Sequence, residues 1–351
     1  MAHVVVIPGI MGSTLNLFVG ERKGPEIWLR TESLLGGYFP YLELGADGET
    51  DSGVTWPNGS IRPVELLPGT YAALLRRLRD LGYTVHPWPY DWRKSIRSNG
   101  AKLLAFLRSG FDQEQGYVIV AHSMGGLVVR AAALVDDRSP ALPDCHRLIY
   151  LGTPHYGSHS AAGIYGPRVG AWAPWLGFAR GIPDAWDPTS DYPGMFGVVV
   201  SWQGLADLFP NPLAGPFVGP ETDRLYQARE WPTLAKIRQT VLDRARASWA
   251  ALGPVGLTIP SVYVVSTGRS TPSGIRPGGD LGHLGSWTRT KDGDESVTEA
   301  SAWQVDHPRF LCGVQHHHLP TDPLILSWID FLIRNGIDQD YAASGPLANA
   351  S

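Results

Sequence analysis

Residues 118–129 read Val-Ile-Val-Ala-His-Ser-Met-Gly-Gly-Leu-Val-Val, an apolar strand that turns within a few residues into an apolar helix. One serine, Ser123, stands at the corner. A serine in so sharp a strand-to-helix turn is held in a strained backbone conformation that lifts its hydroxyl above the sheet. Such a turn needs small neighbours, and Ala121, Gly125 and Gly126 provide them. The pattern predicts a nucleophilic serine at position 123.

The overall composition is that of a globular protein and argues against several classes of partner. The 351 residues are 43% hydrophobic and 18% charged, enough for one large catalytic domain with an insertion or for two smaller domains. A net charge of −4 gives no electrostatic reason to expect nucleic acid or an anionic membrane as partner. Cys145 and Cys312 lie too far apart for a disulfide framework, so we predict that both are free and buried, with a single bridge between them as the alternative.

The amino-terminal residues and the lengths of the apolar runs predict the cellular compartment of the protein. Residues 3–7 form a strand at once, with no basic flank, so no signal peptide is predicted. No uncharged apolar run reaches the ~18 residues needed to span a bilayer, so no transmembrane segment is predicted. We therefore expect a cytoplasmic protein.

Apolar periodicity predicts strands that alternate with amphipathic helices. Strands are predicted over residues 3–7, 83–87, 117–121, 147–151, 262–266 and 309–311. Helices are predicted over residues 68–81, 96–107 and 324–333. This alternation indicates an α/β fold with a doubly wound, mainly parallel sheet.

The irregular stretches predict the domain organisation. Residues 20–60 show no clear period and are interpreted as a loop excursion over the surface or the active-site mouth. Residues 155–256, rich in tryptophan, proline and glycine, are interpreted as an inserted cap or lid in which only 222–251 is clearly helical. The predicted units are a first core part at 1–154, the cap at 155–256, a second core part at 257–337 and a flexible tail at 338–351.

A serine nucleophile needs a base and a carboxylate that orients the base. In folds that use this turn, the acid and then the histidine follow the serine along the chain. Residues 291–297 form an acidic turn in which Asp294 is the predicted acid, because Val297 can anchor the turn in the core. Asp292 is the alternative.

Three adjacent histidines, His316, His317 and His318, leave the choice of base open. We favour His316, because it comes first after the strand and the closing helix then begins at a suitable distance. His317 is the second candidate. Extended backbone would point neighbouring side chains to opposite faces, which disfavours a metal site built from all three. We therefore predict no metal and no cofactor.

Acyl transfer also needs hydrogen-bond donors for the developing oxyanion. Backbone N–H groups from the residue after the nucleophile and from the loop after the first strand supply them in this fold class. These are Met124 and Ile10, the latter flanked by Gly9 and Gly12.

The run from Tyr90 to Arg93 has no catalytic requirement of its own. We expect Asp91 to pair with Arg93, and Tyr90 and Trp92 to pack or to line the pocket. His122, His155 and His159 are expected in supporting or core positions.

Taken together, the motifs resemble the lecithin:cholesterol acyltransferase family of α/β-hydrolases. They occur in that family's order at residues 8–13, 90–93, 121–126, 152–154 and 292–297. The resemblance implies Ser123 as nucleophile, Asp294 as acid and a histidine within 316–318 as base. It also implies backbone donors at Ile10 and Met124, and a lid and cap over a lipid-like acyl substrate.

The predicted function is a serine esterase, lipase or acyltransferase that forms an acyl-enzyme from a small-molecule ester with an apolar acyl chain. An intracellular O-acyltransferase or thioesterase is an alternative within this class. Two alternatives belong to other classes. One is a non-catalytic α/β-hydrolase that binds an apolar ligand, and the other is a metal-dependent hydrolase that uses His316, His317 and His318.

Overall fold

The computed structural model describes residues 2–28, 37–109, 116–135, 142–166, 195–232, 236–253, 257–304 and 307–336. Within these residues the central sheet has six strands, each parallel to its neighbours. They are β1 (His3–Ile7), β5 (Thr84–Pro87), β6 (Tyr117–His122), β7 (Cys145–Leu151), β8 (Ser261–Ser266) and β11 (Arg309–Cys312). The predicted strands and the doubly wound parallel sheet are therefore confirmed.

The middle of the sheet is buried on both faces, because most of β1 and of β6 is apolar and buried at consecutive positions rather than at alternate ones. In β1, Val5 and Ile7 face one hydrophobic core, and Val4 and Val6 face the other. Two helices cover the Val4 face: α1 (Pro68–Asp80) and α9 (Pro323–Asn335). The opposite core contains residues of α2 (Ile96–Ser109), α3 (Met124–Ala133) and α7 (Gln239–Leu252).

Local sequence explains where the two helices on the Val4 face begin. Helix α1 starts with Pro68, whose missing N–H costs nothing at the first helical position. Helix α9 is capped by Asp322, whose carboxylate accepts from the N–H groups of Leu324 and Ile325. Both helices are confirmed close to their predicted bounds.

The strand order places the loops after β1 and β6 side by side. The sheet runs β11–β8–β7–β6–β1–β5, so the chain adds strands to one side of β1 and then to the other. Ligand sites in open α/β sheets lie at such a switch point, outside the carboxyl ends of the strands. Ile7 and Ala121 are register partners, so the segments after them begin next to each other.

The interpretation of residues 20–60 as irregular is wrong in part. Three antiparallel strands form a separate sheet in the order β3–β2–β4: β2 (Ser13–Val19), β3 (Arg22–Trp28) and β4 (Gly59–Leu66). Strand β3 carries a Gly24-Pro25 pair and exposed charges, and only Ile27 and Trp28 are buried. Its conformation depends on pairing with β2, which local sequence does not reveal.

The prediction of one helix over 222–251 is also wrong in its first half. Two short 3-10 turns, Thr222–Tyr226 and Ala228–Glu230, precede helix α7. Pro232 has no N–H and disfavours helical backbone at Trp231, which is extended with ψ 153°. Trp231 is buried against Tyr165 and Phe209, so packing holds the break in place.

Other short elements complete the described chain. They are α4 (His159–Gly163), α5 (Met195–Val199), α6 (Gln203–Ala206), α8 (Glu299–Ala302) and the hairpin strands β9 (Thr271–Ile275) and β10 (Trp287–Thr290). Trp172, Trp175, Trp186 and the tail at 338–351 lie outside the described residues. The proposed domain boundaries stay predictions.

Both cysteines are free, as expected, although Cys145 is only partly buried and Cys312 is buried. Within the described ranges, no helix combines the length and apolarity that a membrane span requires.

Candidate active site

Ser123 lies at the corner between β6 and α3. Its backbone has φ 53° and ψ −127°, a conformation that non-glycine residues rarely adopt. Such strain persists only where the surrounding structure enforces it, and it is typical of functional sites. The turn is so close to the first strand that a Cβ on Gly125 would lie 2.5 Å from the Pro8 carbonyl oxygen. Small residues are thus a steric requirement of this corner.

A hydrogen-bonded chain links Ser123, His316 and Asp294. The His316 Nε2 atom is 2.8 Å from Ser123 Oγ, and its Nδ1 atom is 2.6 Å from Asp294 Oδ2. Because a carboxylate only accepts, His316 carries its proton on Nδ1, and the Nε2 lone pair faces the serine hydroxyl. The arrangement suits removal of the Ser123 proton by His316.

Asp294 is held in place by its own turn. Its side chain is 1% exposed, and its Oδ1 atom accepts from the N–H groups of Ser296 at 2.9 Å and Val297 at 2.7 Å. Val297 is buried in the hydrophobic core, as the sequence indicated. These two bonds stabilise the carboxylate and leave Oδ2 for His316.

The alternative acid, Asp292, does not join this group. It is exposed, and its Oδ2 atom accepts from the Thr290 hydroxyl at 3.0 Å. The structure therefore brings Asp294, not Asp292, to His316.

The three histidines form one turn of 3-10 helix rather than extended backbone, so that part of the sequence argument is wrong. His316 points to Ser123, while His317 and His318 are exposed and their rings pack at 4.1 Å between centroids. His317 lines the mouth of the cavity. Among the described residues, no three His, Cys, Asp or Glu side chains are grouped so that they could hold a metal ion.

The loop after β1 forms a tight turn beside the elbow. The Gly12 N–H donates to the Gly9 carbonyl at 3.1 Å, and Met11 has a φ of 61°. Ile10 lies between them, and its N–H takes no part in the bond that closes the turn. Met124 is the first residue of α3, where N–H groups have no partner inside the helix. Both predicted oxyanion donors thus border the corner that holds Ser123.

The run from Tyr90 to Arg93 braces this loop. The Tyr90 hydroxyl donates to the Pro8 carbonyl at 3.0 Å, and the Trp92 indole N–H donates to the Ser13 carbonyl at 3.1 Å. Trp28 adds a bond from its indole N–H to the Met11 carbonyl at 3.1 Å. Three carbonyl groups of this segment therefore accept hydrogen bonds from side chains outside it, which explains how the strained Met11 conformation is held.

Arg93 anchors the run itself. It is fully buried and binds Asp91 through both Nε, at 2.9 Å, and a terminal nitrogen, at 2.6 Å. A second carboxylate, that of Asp51, lies 2.6 Å from the same terminal nitrogen. The predicted Asp91–Arg93 pair is confirmed, and Tyr90 and Trp92 pack in the core.

A cavity of about 620 Å³ opens onto Ser123 and His316. Much of its wall is apolar: Ile10, Met11, Trp28, Leu67, Ala161, Ile164, Leu205, Leu208 and Val297. Polar side chains contribute another part: Ser270, Arg289, Glu295, Ser296 and His317. Its volume falls in the range of small-molecule sites.

Tyr71 is a site residue that sequence reasoning missed. Its hydroxyl lies 2.8 Å from His122 Nδ1, and His122 Nε2 lies 3.0 Å from the His316 carbonyl oxygen. The only sequence signal for Tyr71 is its place on the apolar face of α1, which indicates a core residue. His122 occupies the supporting position that was expected.

Comparison with known proteins identifies the fold and a family match. Residues 65–170 match the model of the family described as Lecithin:cholesterol acyltransferase. This segment contains β5, β6 and the Ser123 turn. No curated protein matches the chain in sequence.

Solved structures resemble the chain at low identity. The structure of the Tle4–Tli4 complex has a TM-score of 0.52 and 13% identity, covering 94% of this chain and 97% of that chain. Lipase 1 from Pelosinus fermentans has a TM-score of 0.42 and 14% identity, covering 96% and 99%. The mature Bacillus licheniformis lipase BlEst2 has a TM-score of 0.41 and 16% identity, covering 95% and 92%.

At 13% identity the likeness to the Tle4–Tli4 structure speaks for the fold alone. The six-stranded parallel sheet with a serine at its strand-to-helix turn is the α/β-hydrolase fold. The family match adds the predicted resemblance to lecithin:cholesterol acyltransferases, which is confirmed. In general terms it supports an ester hydrolase or acyltransferase.

Proposed function

We propose that this chain, an α/β-hydrolase resembling the lecithin:cholesterol acyltransferases, is a serine-dependent ester hydrolase or acyltransferase for an ester with an apolar acyl chain. The observation that carries the proposal is the hydrogen-bonded sequence from Ser123 through His316 to Asp294, which opens onto a largely apolar cavity. A protein that only binds an apolar ligand has no need of these hydrogen-bonded Ser, His and Asp side chains.

In the first half of the reaction, Ser123 Oγ attacks the ester carbonyl while its proton passes to His316 Nε2. Asp294 stabilises the imidazolium through the 2.6 Å bond to Nδ1. The N–H groups of Ile10 and Met124 bind the oxyanion of the tetrahedral intermediate, each contributing about 3–4 kcal/mol when well placed. His316 then protonates the departing alkoxide, and the acyl group remains on Ser123.

In the second half, His316 takes a proton from the acceptor, whose oxygen attacks the acyl-enzyme. Ser123 leaves and recovers its proton from His316, so the protein returns to its starting state. Water as acceptor makes the protein a hydrolase, and an alcohol makes it a transferase. The cavity wall decides between them by the access it gives to water.

The test removes the nucleophile and keeps the cavity. Ser123→Ala should lower kcat/KM for p-nitrophenyl esters on the order of 10⁴-fold or more, because removal of one member disables the whole group. A fluorophosphonate probe should label the wild type at Ser123 and leave Ser123→Ala unlabelled. Ser160→Ala is the matched control for labelling, since the Ser160 hydroxyl lines the same cavity but donates to the Glu295 carbonyl, and this variant should still be labelled at Ser123.

Three results would contradict the proposal. If Ser123→Ala hydrolyses the ester at the wild-type rate, the serine is not the nucleophile. If the folded wild type gives neither turnover nor labelling, the non-catalytic binding protein is the better interpretation. Loss of activity on addition of EDTA would instead favour the metal-dependent hydrolase.

The acyl acceptor is tested separately, by product analysis with and without a long-chain alcohol. An acyltransferase should form the new ester in preference to the free acid, and a hydrolase should form the acid in both cases. A matched thioester substrate tests the thioesterase alternative in the same assay.

A further inference from the structure

A hydrogen-bond chain runs beneath the candidate site and links the loop after β1 to His316 through Tyr71 of α1 and His122 of β6. The Gly9 N–H lies 2.8 Å from the Tyr71 hydroxyl, which lies 2.8 Å from His122 Nδ1. The His122 Nε2 atom lies 3.0 Å from the His316 carbonyl oxygen. The chain thus joins the loop after β1 to the backbone of the candidate base.

The direction of every bond in this chain is determined by its two ends. The His316 carbonyl can only accept, so His122 carries its proton on Nε2 and leaves Nδ1 as an acceptor. The Tyr71 hydroxyl therefore donates to Nδ1 and accepts from the Gly9 N–H. The opposite tautomer of His122 would set two lone pairs against each other 3.0 Å apart.

Burial keeps the chain in this single protonation state. It holds the pKa of His122 well below its ordinary value, and the neighbouring His316 lowers that pKa further. Burial also raises the pKa of Tyr71 above its usual range. His122 consequently stays neutral when His316 takes the serine proton, and it adds no charge that would oppose that transfer.

The chain meets the site where geometry matters most. Gly9 immediately precedes Ile10, the proposed oxyanion donor, and a Cβ on Gly9 would lie 2.9 Å from the Ser123 Cβ. The His316 backbone is held by two bonds. Its backbone N–H donates to the Asp294 carbonyl at 3.0 Å, and its backbone carbonyl accepts from His122. Displacement of either end shifts a proposed catalytic group relative to Ser123.

We propose that Tyr71 and His122 are positioning residues, which fix the loop after β1 and the His316 backbone in place relative to Ser123. The inference rests on the proposed function, since it assigns these residues to the same acyl transfer. Because they touch groups that act in the transition state, their loss should lower kcat and leave KM nearly unchanged.

The test is a double-mutant cycle on activity. Tyr71→Phe should lower kcat roughly 10- to 100-fold with KM changed less than about threefold, as a displacement of catalytic groups near 1 Å can cost ~10²-fold. His122→Asn keeps an acceptor near Nδ1 and loses the donor to His316, whereas His122→Gln keeps that donor. The His122→Gln variant should therefore retain more of the wild-type kcat than His122→Asn. The Tyr71→Phe/His122→Asn double variant should be no slower than the slower single variant, because both break one chain.

Tyr226→Phe is the control for the loss of a buried tyrosine hydroxyl. Tyr226 donates to the Pro210 carbonyl at 2.9 Å, outside the candidate site. The Tyr226→Phe variant should lose about as much thermal stability as Tyr71→Phe but keep kcat within about twofold of wild type. Nitrogen-15 NMR of the wild type should show His122 as the neutral Nε2–H tautomer at every pH at which the protein is folded.

The outcomes separate this inference from the proposed function. It is overturned if Ser123→Ala is inactive while Tyr71→Phe keeps wild-type kcat, if the losses of the two single variants multiply, or if NMR shows the Nδ1–H tautomer. Activity that survives Ser123→Ala overturns the proposed function and the positioning role with it.

Discussion

Replacement of Asp294 by asparagine tests the candidate site most sharply, because the surrounding bonds determine which way the new amide must point. The Oδ1 position accepts from the N–H groups of Ser296 and Val297. The amide oxygen of Asp294→Asn must therefore occupy this position. Its NH2 group then takes the place of Oδ2, 2.6 Å from His316 Nδ1.

Two donors cannot share that contact, so His316 moves its proton from Nδ1 to Nε2. The Nε2–H group then faces Ser123 Oγ at 2.8 Å and has no lone pair to take the serine proton. A serine protease with the same substitution loses about 10⁴-fold in kcat through the wrong tautomer. We expect a loss of similar size here, which corresponds to about 5.5 kcal/mol of transition-state stabilisation.

The assay is steady-state hydrolysis of p-nitrophenyl esters together with the rate of fluorophosphonate labelling at Ser123. Asp292→Asn is the matched control, since Asp292 is an exposed carboxylate two residues away, and it should stay within about twofold of wild type. The reasoning is refuted if folded Asp294→Asn keeps a tenth or more of kcat, or if Asp292→Asn is the variant that fails.

Further predictions concern the base, the buried ion pair and the pH dependence of stability. His316→Gln should abolish ester turnover, whereas His317→Gln should retain most of kcat; the reverse result in the same assay would make His317 the base. Arg93→Met should lower the free energy of unfolding by about 3–5 kcal/mol, because it removes the buried guanidinium that binds the Asp91 and Asp51 carboxylates; chemical denaturation measures this, and an unchanged midpoint would contradict it. Burial raises the pKa of Asp207 to about 6 from 3.8, so its folded form binds more protons than its unfolded form between these values. Stability should therefore fall by about 3 kcal/mol as pH rises through this window, and urea unfolding of wild type and Asp207→Asn should show a weaker fall in the variant if the reasoning is right.

Much of the architecture could be predicted because it depends on local patterns. The β-branched run at residues 3–7 and the 3-4 spacing over 68–81 each indicate their element without reference to the rest of the chain. The Ser123 turn is equally local, since its strand, small residues and helix lie within 118–129. Strand β3 and the break before α7 were not predicted, because distant pairing and packing outweigh local propensity there.

The amino-acid sequence by itself determined the parallel α/β sheet, the serine at its strand-to-helix corner and a short set of partners for that serine. Only the tertiary structure decided among those partners. Local patterns favoured Asp294 over Asp292 and His316 over His317, but the members of each pair have the same side chain, so the sequence could not exclude the second candidate. The separation comes from hydrogen bonds between residues far apart in the chain, such as Ser123 with His316 and Tyr71 with His122. Those bonds exist only once the folded sheet has brought the ends of its strands together.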